Sequence, residues 1–158
     1  MNIIKKYIKD IILFIIILLF WLLSGLLFKI DYNYYNILKL PSFALNGKVI
    51  SIIWFLIYIF TTISIIIVSK KTNILKNNDY LYILLTNYIS NQTFLLFFFK
   101  LMSPFLGFAS TTIVVMSTIF LFIETKKISK NASYFLIPYI VYGIYAFILM
   151  GSVYFMNF

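Results

Sequence analysis

The sequence has 158 residues, 63% of them hydrophobic and 21% aromatic, and a formal net charge of +9 that lysine alone supplies. So apolar a chain is neither an ordinary soluble domain nor a disordered segment, and its length leaves room for one membrane domain spanning residues 1–158. With no cysteine or histidine, and with Asp10, Asp31, Asp79 and Glu124 as its only acids, it has no thiol chemistry or imidazole ligation and few groups for hydrolytic or metal-dependent catalysis.

Met1–Asp10 reads as a short basic tail with Lys5, Lys6 and Lys9, and Ile11–Phe28 as the first apolar run. A basic tail before an apolar run is also the pattern of a cleaved leader, but this run is longer than a usual leader core and no small-x-small cleavage site follows. Lys29–Lys48 is the longest connection. Pro41 biases Leu40 to an extended conformation, and Asn46-Gly47 is a turn signal. The loop is rich in rings: Tyr32, Tyr34, Tyr35 and Phe43. Two arrangements account for them, a loop folded down on the membrane domain or an interfacial aromatic belt.

Val49–Ser69 is the second span, with Trp54 and Tyr58 four apart on one side. Asn77-Asn78-Asp79 offers an N-cap for the third span, which ends at Lys100. Ser103-Pro104 is a helix start, and the fourth span runs from Pro104 to about Ile123 with the small residues Gly107, Ala109 and Ser110 available for close packing. Glu124–Lys130 reads as a charged connection. Asn131 and Ser133 are placed to cap a fifth span from about Tyr134, with Pro138 one turn in as a tolerated kink.

An odd number of spans separates the termini. Nine lysines (5, 6, 9, 70, 71, 76, 126, 127 and 130) fall on one side and four (29, 39, 48 and 100) on the other. The excess predicts a multi-pass protein of the cytoplasmic membrane with its N-terminus inside and the long first loop outside. Lysines used in this way, beside a lipid bilayer, leave no basic face on a soluble surface, so no nucleic-acid partner is expected.

The third span is the unusual one. Between Tyr80 and Phe99 it carries no charge yet holds Asn87, Asn91, Gln92 and Thr93. A carboxamide without a partner is costly in hydrocarbon. Asn87 and Asn91 share a face that Phe94 and Phe98 continue, so that face points into protein or a cavity. Trp54 and Tyr58 on the second span, and Tyr142, Tyr145, Ala146 and Leu149 on the fifth, supply what it could meet. Two readings stand: interhelical glue, or an aromatic-walled small-molecule pocket oriented by carboxamides.

The order and spacing of several motifs resemble the TspO family, also called the translocator protein or peripheral benzodiazepine receptor family. These are Ser24-Gly25, Leu40-Pro41-Ser42-Phe43 followed by Gly47 and Trp54, Asn87 with Asn91-Gln92 and Phe97-Phe98-Phe99, Pro104, and Ile137-Pro138-Tyr139 with Tyr142, Ala146 and Asn157. The resemblance implies an all-α bundle of five transmembrane helices whose first loop covers a pocket. It implies a membrane receptor or carrier for porphyrin-like, sterol-like or drug-like hydrophobes, often as a homodimer. By that resemblance Tyr35, Trp54, Asn87, Asn91, Tyr142 and Ala146 are pocket positions. Phe43, Tyr58 and Tyr145 join them as candidate ligand contacts from the residue pattern.

The sequence departs from the family where two prolines are usual near Leu45-Asn46, where tryptophan is common at Tyr142, and where glycine is common at Lys100. No basic residue follows Tyr154, as the family's sterol-recognition pattern would need. Without histidine a metal-free porphyrin is a better fit than haem, so no resident cofactor is expected. Two alternatives remain open: an enzyme that degrades porphyrins by light- or oxygen-dependent chemistry at pocket tryptophans, for which only Trp54 matches while Trp21 reads as a lipid or core residue, and a non-binding accessory membrane subunit.

Overall fold

The computed structural model describes residues 3–158, with side chains from Tyr7 onward, so the side chains of Lys5 and Lys6 lie outside the described residues. The described chain is helical. Long helices α1 (Ile3–Trp21), α4 (Gly47–Ser69), α5 (Asn78–Leu95), α6 (Pro104–Ile128) and α8 (Ile137–Met156) alternate with the short segments α2 (Leu23–Leu27), α3 (Tyr32–Ile37) and α7 (Lys130–Tyr134). Among the described residues, Gly47–Ser69, Pro104–Ile128 and the near-continuous α7–α8 segment Lys130–Met156 are long and apolar enough to cross a membrane. The charges of Lys5, Lys6, Lys9 and Asp10 in α1 and the carboxamides of α5 set those two helices apart.

Local chemistry explains the helix starts. Asn77 Oδ1 accepts from Tyr80 N–H at 3.2 Å, and Ser103 Oγ accepts from Leu106 N–H at 3.2 Å with Pro104 at the first helical position, as the sequence predicts. Asn46 caps α4 through Lys48 N–H at 2.9 Å, so the Asn-Gly pair opens a helix as well as closing a loop.

Several expected boundaries move. The tail before Ile11 is already helical, and the first apolar run is broken at Leu22. The long loop contains α3, which Asp31 caps by accepting from Asn33 and Tyr34 N–H groups, both at 3.0 Å. Helix α5 gives way at Leu95 to a π-turn, Leu96–Lys100, followed by Met102 at φ 49°. Helix α6 runs past Ile123 to Ile128, because Glu124 and Lys127 pair along it at 2.6 Å rather than breaking it. The cap ahead of the last helices is Ser129, which accepts from Ala132 N–H; Asn131 and Ser133 lie within α7. Pro138 falls in the first turn of α8, just after the interruption at Phe135–Leu136 that separates α7 from α8 within one near-continuous span.

Helix α6 is central, packed on α5 on one side and α8 on the other, while α1 lies on α4, α2 on α5, and α7 against α4 and α6. Gly107 allows the close approach: a Cβ there would sit 2.8 Å from Phe98 and 2.9 Å from Met150. At the far end Lys70, after α4, pairs with Asp10 of α1 at 2.5 Å, which makes these helices antiparallel neighbours.

Candidate functional site

A cavity of about 190 Å³ lies among α2, α4, α5, α6 and α8, beneath α3. Its wall is aromatic. On α4, Trp54 and Tyr58 follow at helical spacing, with ring centroids 5.9 Å apart. Trp21, at the end of α1 and 2% exposed, stacks on the other side of Tyr58 at 5.6 Å and 23°. Tyr142 of α8 meets Trp54 edge-on at 5.6 Å and 82°. Such pairs stabilise by roughly 0.5–1.5 kcal/mol each beyond the area they bury, so the wall is stiff.

One polar chain leads inward from this wall. Tyr58 Oη donates to Asn91 Oδ1 at 2.7 Å. Asn91 Nδ2 donates to Tyr139 Oη, which in turn donates to Asn87 Oδ1 at 3.0 Å. The amide hydrogens of Asn87 go to Val114 O at 3.2 Å and to Ser117 Oγ and Thr118 Oγ1, both at 2.9 Å. Every polar atom of Asn87 is thereby used between helices, and its side chain does not line the cavity. Asn91 does line it, as do Tyr35, Trp54, Tyr58, Tyr142 and Ala146.

Phe43 and Tyr145 stand outside the lining and act on the loop. Tyr145 Oη accepts from Leu45 N–H at 3.0 Å and donates to Phe43 O at 3.3 Å, while Phe43, 46% exposed, leans edge-on against the Tyr145 ring. Tyr35 reaches the same stretch of loop from the cavity side, donating to Leu45 O at 3.1 Å. Burial, and then the neighbouring Tyr145 phenol, push the Tyr35 phenol up to about 12, so it stays a neutral donor at ordinary pH. Phe43 and Leu45 of the loop are thus bonded to Tyr145 of α8 and Tyr35 of α3.

No charged side chain lines the cavity among the described residues; Lys29, Lys39 and Lys48 are exposed beyond it. Tyr142 lines the cavity, while its hydroxyl is buried out of reach of it with no hydrogen-bond partner among the described residues. The lining presents ring faces and aliphatic side chains to a flat hydrophobe, with Tyr58 and Asn91 as its polar pair already bonded to each other; among the described residues it sets no nucleophile beside a base.

Two features escape the sequence reading. Trp21 belongs to the wall. Gln92 splices the break in the first apolar run: its Oε1 accepts from Ser24 N–H at 2.7 Å and its Nε2 donates to Trp21 O at 3.1 Å, beside a bond from Tyr88 Oη to Phe20 O at 3.1 Å. The available signal is Gln92 itself, which lies about 100° around the helix from Asn91 and so needs a different partner.

Comparison with known proteins agrees with the motif pattern. The chain is 31% identical over 153 residues to the uncharacterized membrane protein YtaB of Bacillus subtilis, covering 97% of this chain and 99% of that one. It is 29% identical over 149 residues to the tryptophan-rich protein TspO of Bacillus cereus, covering 94% and 97%. The TspO/MBR family model matches residues 11–156, nearly the whole chain, and the protein belongs to that family of membrane proteins.

Proposed function

We propose that this protein is a receptor or carrier for a planar hydrophobic small molecule, with tetrapyrroles as the leading class, held among five spans in the cytoplasmic membrane. The observation that carries the reading is the uncharged cavity walled by Trp21, Trp54, Tyr58 and Tyr142. Flat rings stack on such walls, and the Tyr58–Asn91 pair is the polar group beside them. In this reading α1–α2 and α5 complete the five spans, with Asn87, Asn91 and Gln92 turned to protein, and the lysine excess keeps the N-terminus inside.

At about 190 Å³ the cavity is below the roughly 300–1,000 Å³ of typical small-molecule sites, so a tetrapyrrole enters only if side chains or the loop give way. Both tryptophans of the chain, Trp21 and Trp54, line the cavity, so tryptophan fluorescence originates at its wall. Titration of protoporphyrin IX into the purified protein should quench that signal saturably. Trp54→Ala and Asn91→Ala should weaken binding, and unchanged affinity in both variants would remove this cavity as the site.

The enzymatic alternative gains one observation: Tyr58 is sandwiched between two tryptophans rather than beside one. Illumination of the bound porphyrin separates the readings, since a spectrally distinct product that Trp21→Phe and Trp54→Phe abolish belongs to chemistry and not to carriage.

A further inference from the structure

We propose that ligands enter the cavity sideways, from the acyl-chain region of the bilayer, through a window between α2 and α4 at Gly25 and Phe55. The proposal rests on the five-span, hydrophobe-binding reading above. Among the residues that line the cavity, Gly25 and Phe55 are the two that are also exposed on the outer surface, Phe55 by 43%.

They lie on different helices at one depth. The first apolar run and α4 are antiparallel, fixed by Lys70–Asp10 at one end and the Trp21–Tyr58 stack further along. Gly25 lies four residues after Trp21 and Phe55 three before Tyr58, so both are about one turn, roughly 5 Å, from that stack in the same direction. A Cβ on Gly25 would meet no atom within 4 Å. Gly25 thus borders the cavity on a helix face that is open to the surroundings, where a larger side chain would have room to stand.

The wall at this point is also hinged. The helix is interrupted at Leu22, and α2 packs on α5. The side chains of Gln92 and Tyr88 satisfy Ser24 N–H, Trp21 O and Phe20 O across the break. With these groups met from α5, α2 can tilt from α4 without leaving them bare in hydrocarbon. The loop end is tied instead. Tyr35 and Tyr145 hold Leu45, and Asn157 holds Lys39, so entry from the aqueous side requires those bonds to break together. The window's walls carry no charged side chain, so the flat ring face of a tetrapyrrole passes between them while its ionised carboxylates stay at the headgroup boundary.

The chain has no cysteine, so single sites can be closed after folding. The full chain in phosphatidylcholine vesicles receives protoporphyrin IX from donor vesicles, and stopped-flow tryptophan quenching gives both rate constants. Lys39→Cys/Asn157→Cys, bridged by a bifunctional thiol reagent, staples the loop. Gly25→Leu fills the window, and Gly25→Cys capped with a benzyl thiosulfonate after reconstitution fills it without any demand on folding. The stapled protein should exchange ligand at the wild-type rate, while either filled window should slow association and dissociation alike by about tenfold. Slower dissociation marks a blocked passage, since a damaged contact would speed it. Loss of exchange on stapling, or wild-type rates with the window filled, overturns the route alone. No quenching of the wild type at equilibrium overturns the binding reading and the route with it.

Discussion

Asn157 grips the backbone of Lys39 with both ends of its carboxamide. Lys39 N–H donates to Oδ1 and Nδ2 donates to Lys39 O, each at 2.9 Å, between residues 118 apart in sequence. A further bond from Nδ2 to Val153 O at 2.8 Å orients the side chain on the last turn of α8. The end of the last helix thus holds the first loop as a neighbouring strand would.

Replacing Asn157 by alanine should free that loop, lowering stability by about 1–2 kcal/mol, since a net hydrogen bond contributes ~0.5–1.5 kcal/mol. Asn157→Asp should not rescue it, because a carboxylate cannot donate to either carbonyl. Thermal unfolding measures the loss, and faster amide exchange at Lys39 locates it.

Gln92→Leu should leave Ser24 N–H and Trp21 O unmet in apolar surroundings. A loss of about 2–4 kcal/mol is expected, at ~1–3 kcal/mol for each buried unsatisfied group. Steric trapping of the reconstituted protein measures it. A loss below ~0.5 kcal/mol would mean that the helix heals when Gln92 is gone, and that the break follows from Gln92 rather than being repaired by it.

The two asparagines of α5 should separate in their effects. Asn87 is fully buried and bonded to α6 and α8, so Asn87→Ala should cost stability, about 1–3 kcal/mol. Asn91 lines the cavity, so Asn91→Ala should raise the protoporphyrin Kd by about tenfold, or ~1.4 kcal/mol. Parallel unfolding and quenching titrations check the pair, and the opposite ranking would move the ligand away from Asn91.

Tyr35 gives a pH signature. Its phenol is raised from 10.0 to about 12, so the folded state holds the proton more tightly than the unfolded chain. The associated stability is complete below pH 10 and declines as pH rises from 10 to about 12, where the unfolded chain ionises first. Tyr35→Phe should flatten that decline in alkaline unfolding curves. An unchanged slope would assign it to other tyrosines.

Much of the architecture was readable one segment at a time. Apolar runs broken by polar, lysine-bearing connections predict the long helices, and Asn77, Ser103 and Pro104 mark starts that the structure keeps. These features depend on residues within one turn of each other, where backbone donors and side-chain acceptors meet whatever the rest of the chain does. Helix ends were less legible. The Glu124–Lys127 pair looks like a loop in a hydropathy profile, yet it continues α6, because charge outside the apolar run is no obstacle to helical hydrogen bonding.

The cavity was only half legible. Period 3.6 fixed which residues share a face, and Asn87 and Asn91 do share one; both are buried. It could not say that α6 would stand against Asn87 with a serine and a threonine while Asn91 would look past Tyr58 into open space. Nor could it bring Trp21 to Tyr58, or Gln92 to a break 68 residues earlier. The sequence by itself determined the helices, most of their caps, the angular order of groups around each axis and the family. Which neighbour fills each angle, and where none does, was decided by the packing of several helices at once, because a helical period orients a side chain about its own axis and carries no information on what lies across from it.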